Sequence, residues 1–213
     1  MDKITSNDIM VIFQKIYDKM CENKEYLIEL DSKAGDGDLG ISMCQGFKGV
    51  LDELASLDVQ SIEPRKLVLK AAMAINEHSP SSLGTILSAG MMGGSKVISG
   101  KDSLGVAEYR DFVNGAFEGI CSRAGSKRGE KTILDAIGGA MDALNECADS
   151  GVSLKEAAQR AAQGAYEGMQ KTKEMMAVHG RAAYYQEKTI GNVDGGATVG
   201  MLIFKAIEEC ISE

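Results

Sequence analysis

Ser6-Asn-Asp-Ile-Met-Val-Ile-Phe-Gln-Lys-Ile-Tyr-Asp-Lys-Met20 places Ile9, Ile12, Phe13, Ile16 and Met20 at positions i, i+3, i+4, i+7 and i+11. That spacing gathers side chains on one face of an α-helix. Ser6 or Asn7 supplies a side-chain oxygen for the free amides of the first turn. The same period recurs along the chain. It predicts helices over 42–54 (Cys44, Phe47, Leu51, Leu54), from Pro64 onward (Leu67, Ala71, Ile75), over 85–98, over 107–123 (Tyr109, Phe112, Ala116, Ile120) and over 132–148 (Ile133, Ile137, Ala140, Leu144). Pro64 suits a first helical turn. The 85–98 segment is rich in small residues, from Ser88 to Ser95, which permit close approach. Ser153 and Glu156 form a capping-box pattern before an alanine-rich stretch running through Leu154, Ala158, Ala161, Ala165 and Met169 to Met176. A last helix carries Val199, Ile203, Ile207 and Cys210. About eight helices, short loops and no alternating strand make the fold all-α, with helix packing alone supplying the core. Only Pro64 and Pro80 interrupt the chain, and no linker or repeat divides it, so residues 1–213 read as a single domain.

Composition narrows the class. A hydrophobic fraction of 44% and a charged fraction of 25% belong to a globular chain. No apolar run reaches the roughly 18 residues that a spanning helix needs, and the N-terminus lacks the order of a signal peptide, so a cytoplasmic location is expected. A net charge of −8 disfavours nucleic acid and anionic membranes as partners, because both demand a basic surface. Cys21, Cys44, Cys121, Cys147 and Cys210 are scattered and never form a C-x-x-C pair, which argues against disulfides and zinc and in favour of buried small hydrophobes. The twelve methionines, Met91, Met92, Met175 and Met176 among them, read as core filling.

Chemistry concentrates in Asp31-Ser-Lys-Ala-Gly35-Asp36-Gly37-Asp38-Leu39-Gly40. The glycines allow tight turns, so Asp31, Asp36 and Asp38 can converge. Carboxylates that close repel one another unless a cation joins them, and hard oxygen ligands suit Mg²⁺ or Ca²⁺. Gly35, Gly37 and Gly40 also satisfy G-x-G-x-x-G, yet the surroundings are helical and aspartates fill the variable positions, which excludes a dinucleotide-binding turn. A calcium loop counted from Asp36 would put Phe47 where a bidentate glutamate belongs, so magnesium fits better. A solvated acidic turn is the plain alternative; the triple spacing with three glycines favours the metal.

These residues resemble the signature of the DhaL family, the nucleotide-binding subunits of dihydroxyacetone kinases: Asp, four residues, then Asp-Gly-Asp-x-Gly. Gly129-Glu-Lys-Thr-Ile-Leu-Asp135, Gly180-Arg-Ala-Ala-Tyr184 and Thr189-Ile-Gly-Asn-Val-Asp-Gly-Gly-Ala197 are similar to three further family motifs, in the family's order. The resemblance implies an antiparallel barrel of eight helices with ADP or ATP held at one end by two Mg²⁺ ions on Asp31, Asp36 and Asp38. It also implies a phosphate-binding stretch of Leu39, Gly40, Ile41 and Ser42 at a helix start, where anions are favoured. A second phosphate turn would lie at Ser82, Leu83 and Gly84. Ala124, Ile133, Arg181, Asp194, Gly195 and Gly196 would complete the nucleotide pocket. Leu39, Asn192 and Gly195 depart from the residues the family usually has there.

The implied reaction is phosphoryl transfer, in which metal ions and oriented amides carry the developing charge. A DhaK-type subunit would present the ketose, so no catalytic residue is expected on this chain. A phosphohistidine protein of the DhaM type would recharge a permanently held ADP. An ATP-dependent kinase of another small sugar and a non-catalytic ADP·Mg²⁺ sensor remain as alternatives, and a homodimer is one option for the assembly. Lys131, at a helix start, either reaches a phosphate or lies in solvent; Arg181 has the fork geometry for phosphate. His78 and His179 lack metal-ligand spacing and read as structural or exposed.

Overall fold

The computed structural model describes residues 1–148 and 150–213. Nine α-helices follow one another among the described residues: α1 (Ser6–Glu22), α2 (Lys24–Ser32), α3 (Leu39–Leu54), α4 (Pro64–His78), α5 (Ser82–Val97), α6 (Val106–Ala124), α7 (Ile133–Cys147), α8 (Leu154–Lys171) and α9 (Gly195–Ser212). Two tighter 3-10 stretches, Thr172–Glu174 and Arg181–Thr189, lie between α8 and α9. The sequence period holds where it was strongest. Ile9, Ile12, Phe13, Ile16 and Met20 of α1 are all buried.

Eight of the helices form a closed antiparallel ring. α1 packs on α3, each helix from α3 to α9 packs on the next, and α9 closes back on α1. Phe47, Met43 and Leu54 of α3, Leu67 and Ile75 of α4, and Leu134 and Leu144 of α7 are fully withdrawn from solvent in the shared core. Burying each such side chain contributes about 1.5–3 kcal/mol. Because neighbours alternate in direction, the starts of α3, α5, α7 and α9 share one end of the ring. α2 stands outside the ring at that end, against α3 and α9. Among the described residues there is no strand, only a bridge in which Ile4 and Leu104 exchange two 2.8 Å backbone hydrogen bonds. No helix is long and apolar enough to cross a membrane among these residues.

Several expectations are corrected. The first helix is capped by Thr5, whose hydroxyl accepts from the Asp8 amide, and Ser6 begins the helix instead. α2 has only Leu27 and Leu30 buried in nine residues, too little for a period to show, and it takes in Asp31, which therefore sits in a helical last turn. α8 stops at Lys171, so Met175 and Met176 lie outside it; Met176, Met92 and Met73 are exposed. Ser153 does cap the Glu156 amide at 3.1 Å. Cys21 and Cys44 are joined as a disulfide, with Cα atoms 5.4 Å apart, and Cys121 is only half-buried. The chain reversal through α2 brings those two cysteines together, which their spacing did not announce.

Candidate functional site

The acidic loop is built by a helix end and one left-handed glycine. The Asp31 carbonyl accepts from the Ala34 and Gly35 amides at 3.1 and 2.6 Å, ending α2 in a tight turn. Gly37 then takes φ +74°, a conformation that side chains other than hydrogen rarely adopt. The chain turns back so that the Asp31 carboxylate accepts from the Asp38 amide at 3.1 Å. One oxygen from each of Asp31, Asp36 and Asp38 lies within 4.8 Å of the other two. Burial, reinforced by the charges of Asp36 and Asp31, raises the Asp38 carboxyl above its ordinary range. Arg181 Nη1 lies 2.5 Å from Asp36 Oδ2.

This loop forms one wall of a cleft of about 730 Å³ at the end of the ring where α3, α5, α7 and α9 begin. Ligand cavities run from roughly 300 to 1,000 Å³. The other walls are Pro80 to Leu83 at the start of α5, Lys131 ahead of α7, His179 to Ala182, and Asn192 to Gly195 at the start of α9. Ser81 caps α5 through the Gly84 amide, Thr132 and Asp135 cap α7, and Asp194 caps α9 through the Ala197 amide at 2.7 Å. α3 differs: no side chain caps it. The amides of Leu39, Gly40 and Ile41 precede the first intrahelical bond, which runs from Ser42 N to the Asp38 carbonyl at 2.8 Å. A helix start with free amides attracts anions.

Lys131 proves to be buried, with 6% of its surface exposed, and is one of two residues other than glycine at positive φ among those described. Its ammonium donates to the Thr172 carbonyl and, at 2.6 Å, to the Asn192 carbonyl. Burial lowers its affinity for the proton, while Asp194 and Asp135 oppose that effect. His179 bonds Glu130 at 2.6 Å, which holds that carboxyl below its usual range. His78 is half-buried beside Glu53.

Of the residues singled out from sequence, Asp31, Asp36, Asp38, Leu39, Ser82, Leu83, Arg181, Asp194 and Gly195 line the cleft. Gly40, Ile41, Ser42, Gly84, Ala124, Ile133 and Gly196 do not. Ser42 is buried, its hydroxyl bonded to Ser79 and Ser81 at 2.8 and 2.9 Å. Ile133 is buried against α9 near Gly196 and Gly200, and Ala124 ends α6. Lys33, Tyr185 and Lys188 also face the cleft. Sequence reasoning passed over them because isolated polar residues in irregular segments carry no period.

The sequence matches the DAK2 domain over residues 33–209. The chain belongs to the DAK2 domain family. Within it, the chain is 32% identical over 193 residues to the ADP-binding subunit DhaL of PEP-dependent dihydroxyacetone kinase 1 from Listeria innocua, covering 89% of each chain. It is 29% identical over 185 residues to the corresponding Escherichia coli subunit, covering 86% of each. The dihydroxyacetone kinase of C. freundii, solved in complex with AMP-PNP and Mg²⁺, superposes with a TM-score of 0.71 at 20% identity, over 96% of this chain. This DAK2 chain spans about a third of that kinase's length, 33%, and the likeness is one of fold.

Proposed function

We propose that this chain is the ADP-binding subunit of a dihydroxyacetone-kinase-type phosphotransfer system, holding ADP or ATP through two Mg²⁺ ions. One juxtaposition carries the proposal: three carboxylates, with oxygens within 4.8 Å of one another, stand beside the uncapped start of α3. The donor set fits the ion, since Mg²⁺ prefers carboxylate oxygen and the cluster is otherwise three like charges in close contact. Bound there, Mg²⁺ would neutralise phosphate charge and steady the phosphoryl group in flight.

Asp31, Asp36 and Asp38 would hold the metal. The amides of Leu39, Gly40 and Ile41 would donate to phosphate oxygens, with Ser42 behind them. Ser82, Leu83 and Gly84 would flank the phosphates from α5. Arg181 would exchange Asp36 for a phosphate, to which a guanidinium binds in a fork. Asp194 and Gly195 would enclose the remainder of the nucleotide, with Gly196 and Ile133 packed behind them. The ketose would come on a DhaK-type subunit docking at the open mouth, and a DhaM-type phosphohistidine protein would recharge the ADP. The PEP-dependent relatives support that last assignment.

Nucleotide and metal content of the purified protein, measured after denaturation with and without prior dialysis against a chelator, tests the proposal. Stoichiometric ADP that leaves only with its Mg²⁺ supports a permanent cofactor. Reversible ATP binding to an empty site supports an ATP-dependent kinase of a small sugar. Absence of any nucleotide binding overturns the nucleotide assignment. Phosphorylation of dihydroxyacetone on adding a DhaK-type subunit separates a kinase from a sensor.

A further inference from the structure

Between α8 and α9 the chain makes an excursion that leaves the ring at Thr172, carries His179, Arg181, Tyr185 and Lys188 along the cleft, and returns at Asn192. Its two ends meet at a narrow neck. The Gly191 amide donates to the Lys173 carbonyl at 2.7 Å, and the Asp194 amide donates to the Thr172 hydroxyl at 2.9 Å. Lys131, from a third and distant part of the chain, donates to carbonyls on both sides of that neck, Thr172 and Asn192. It does so 6% exposed and at φ +59°, a backbone state that costs about 1 kcal/mol or more.

We infer that Lys131 is a positioning residue, the clasp that closes the neck of the 173–191 excursion and thereby sets the reach of Arg181 over the acidic loop. A charged group donating to neutral carbonyls makes stronger bonds than an amide does. An ammonium can also bond two carbonyls at once, which no apolar side chain replaces. Apart from the neck, the excursion's main internal ties run through Thr189, whose hydroxyl accepts from the Ala177 amide and donates to the Gln186 carbonyl. Among the described residues the Arg181 side chain is held by its exposed ion pair with Asp36, and beyond the neck the excursion is tied to the ring by His179, which bonds Glu130 at 2.6 Å. The place of Arg181 therefore depends on the neck together with that one exposed tie.

The binding half of the test rests on the nucleotide proposal; the exchange half does not. In the nucleotide-free protein, Lys131→Met is expected to speed amide hydrogen exchange across 173–191 by about tenfold or more, and to leave α4 unchanged, since local opening costs only what the local contacts supply. Lys131→Gln, whose shorter and uncharged amide still donates but more weakly, should fall between, and it replaces the Met variant if that one does not fold. Unchanged exchange in both overturns the clasp. In Mg²⁺·ADP titrations, Lys131→Met and Arg181→Ala should each weaken binding by about tenfold, and the double variant no further, because both remove the same interaction. Multiplied effects in the double variant overturn the route through Arg181. If the parent protein binds no Mg²⁺·ADP, the nucleotide proposal fails while the exchange result still decides the clasp.

Discussion

Arg181 Nη1 lies 2.5 Å from Asp36 Oδ2, so the guanidinium that lines the cleft among the described residues is paired with a carboxylate of the acidic cluster. Both side chains are well exposed, at 66% and 45%, and such a pair is worth at most about 1 kcal/mol. It is therefore cheap to exchange. Arg181→Ala should have opposite effects on two ligands. Free Mg²⁺ should bind severalfold more tightly, because Asp36 is released, while Mg²⁺·ADP should bind about tenfold more weakly, because a phosphate loses its fork. Isothermal titration with each ligand checks this. Effects of the same sign would contradict it.

Asp38 should trade stability for binding. The like charges of Asp36 and Asp31 act on it more strongly than the one opposing cation, Arg181. Asp38→Asn should stabilise the metal-free protein by a few tenths to about 1 kcal/mol, as expected for exposed like charges at this range. The same change should weaken Mg²⁺-dependent nucleotide binding by at least about tenfold. Denaturant unfolding in chelator, set beside a binding titration, reads both; a destabilised variant would refute the repulsion account.

Asp194 titrates in a physiologically reachable range. Burial pushes its carboxyl up to about 6, against the opposing bond from the Ala197 amide and the charge of Lys131. Its folded value lies above the unfolded one, so the native state loses stability as pH rises from about 4 through 6. Asp194→Asn keeps an acceptor for the Ala197 amide and carries no charge. It should match the parent near pH 4 and exceed it at pH 7.5 by about 1 kcal/mol, a value reduced from the full shift because water reaches this half-buried group. Unfolding curves at the two pH values supply the comparison.

The disulfide between Cys21 and Cys44 spans a sequence separation of 23 and encloses α2 with the whole acidic loop. Loop-closure entropy makes such a crosslink worth about 3 kcal/mol. Reductant should lower the urea midpoint of the parent, and a Cys21→Ser, Cys44→Ser double variant should start low and ignore reductant. A parent indifferent to reductant would mean that the crosslink does not restrain the unfolded chain.

What could be read from sequence follows from how locally it is encoded. The period of α1 is a property of fifteen consecutive residues, and burial of Ile9, Ile12, Phe13, Ile16 and Met20 bears it out. Convergence of Asp31, Asp36 and Asp38 is also local, because glycines within the same loop permit it. The Cys21–Cys44 bond and the burial of Lys131 are not local. The first depends on a reversal through α2, whose two buried leucines are too few to show a period. The second depends on a segment 41 to 61 residues away returning over a lysine that, from its place at a helix start, looks solvent-exposed.

The cleft draws its walls from 30–39, 80–83, 131 and 179–195, stretches that meet only when the ring is shut. The acidic loop can form alone, but no single stretch holds all four walls. A nascent chain must therefore bring α9 home before the whole cleft can capture a ligand, and capture at a hundred times the dissociation constant then adds about 2.7 kcal/mol to the finished state. Occupancy becomes a certificate of completed folding: a misassembled copy is both inert and left without the protection that its ligand gives to correctly built ones.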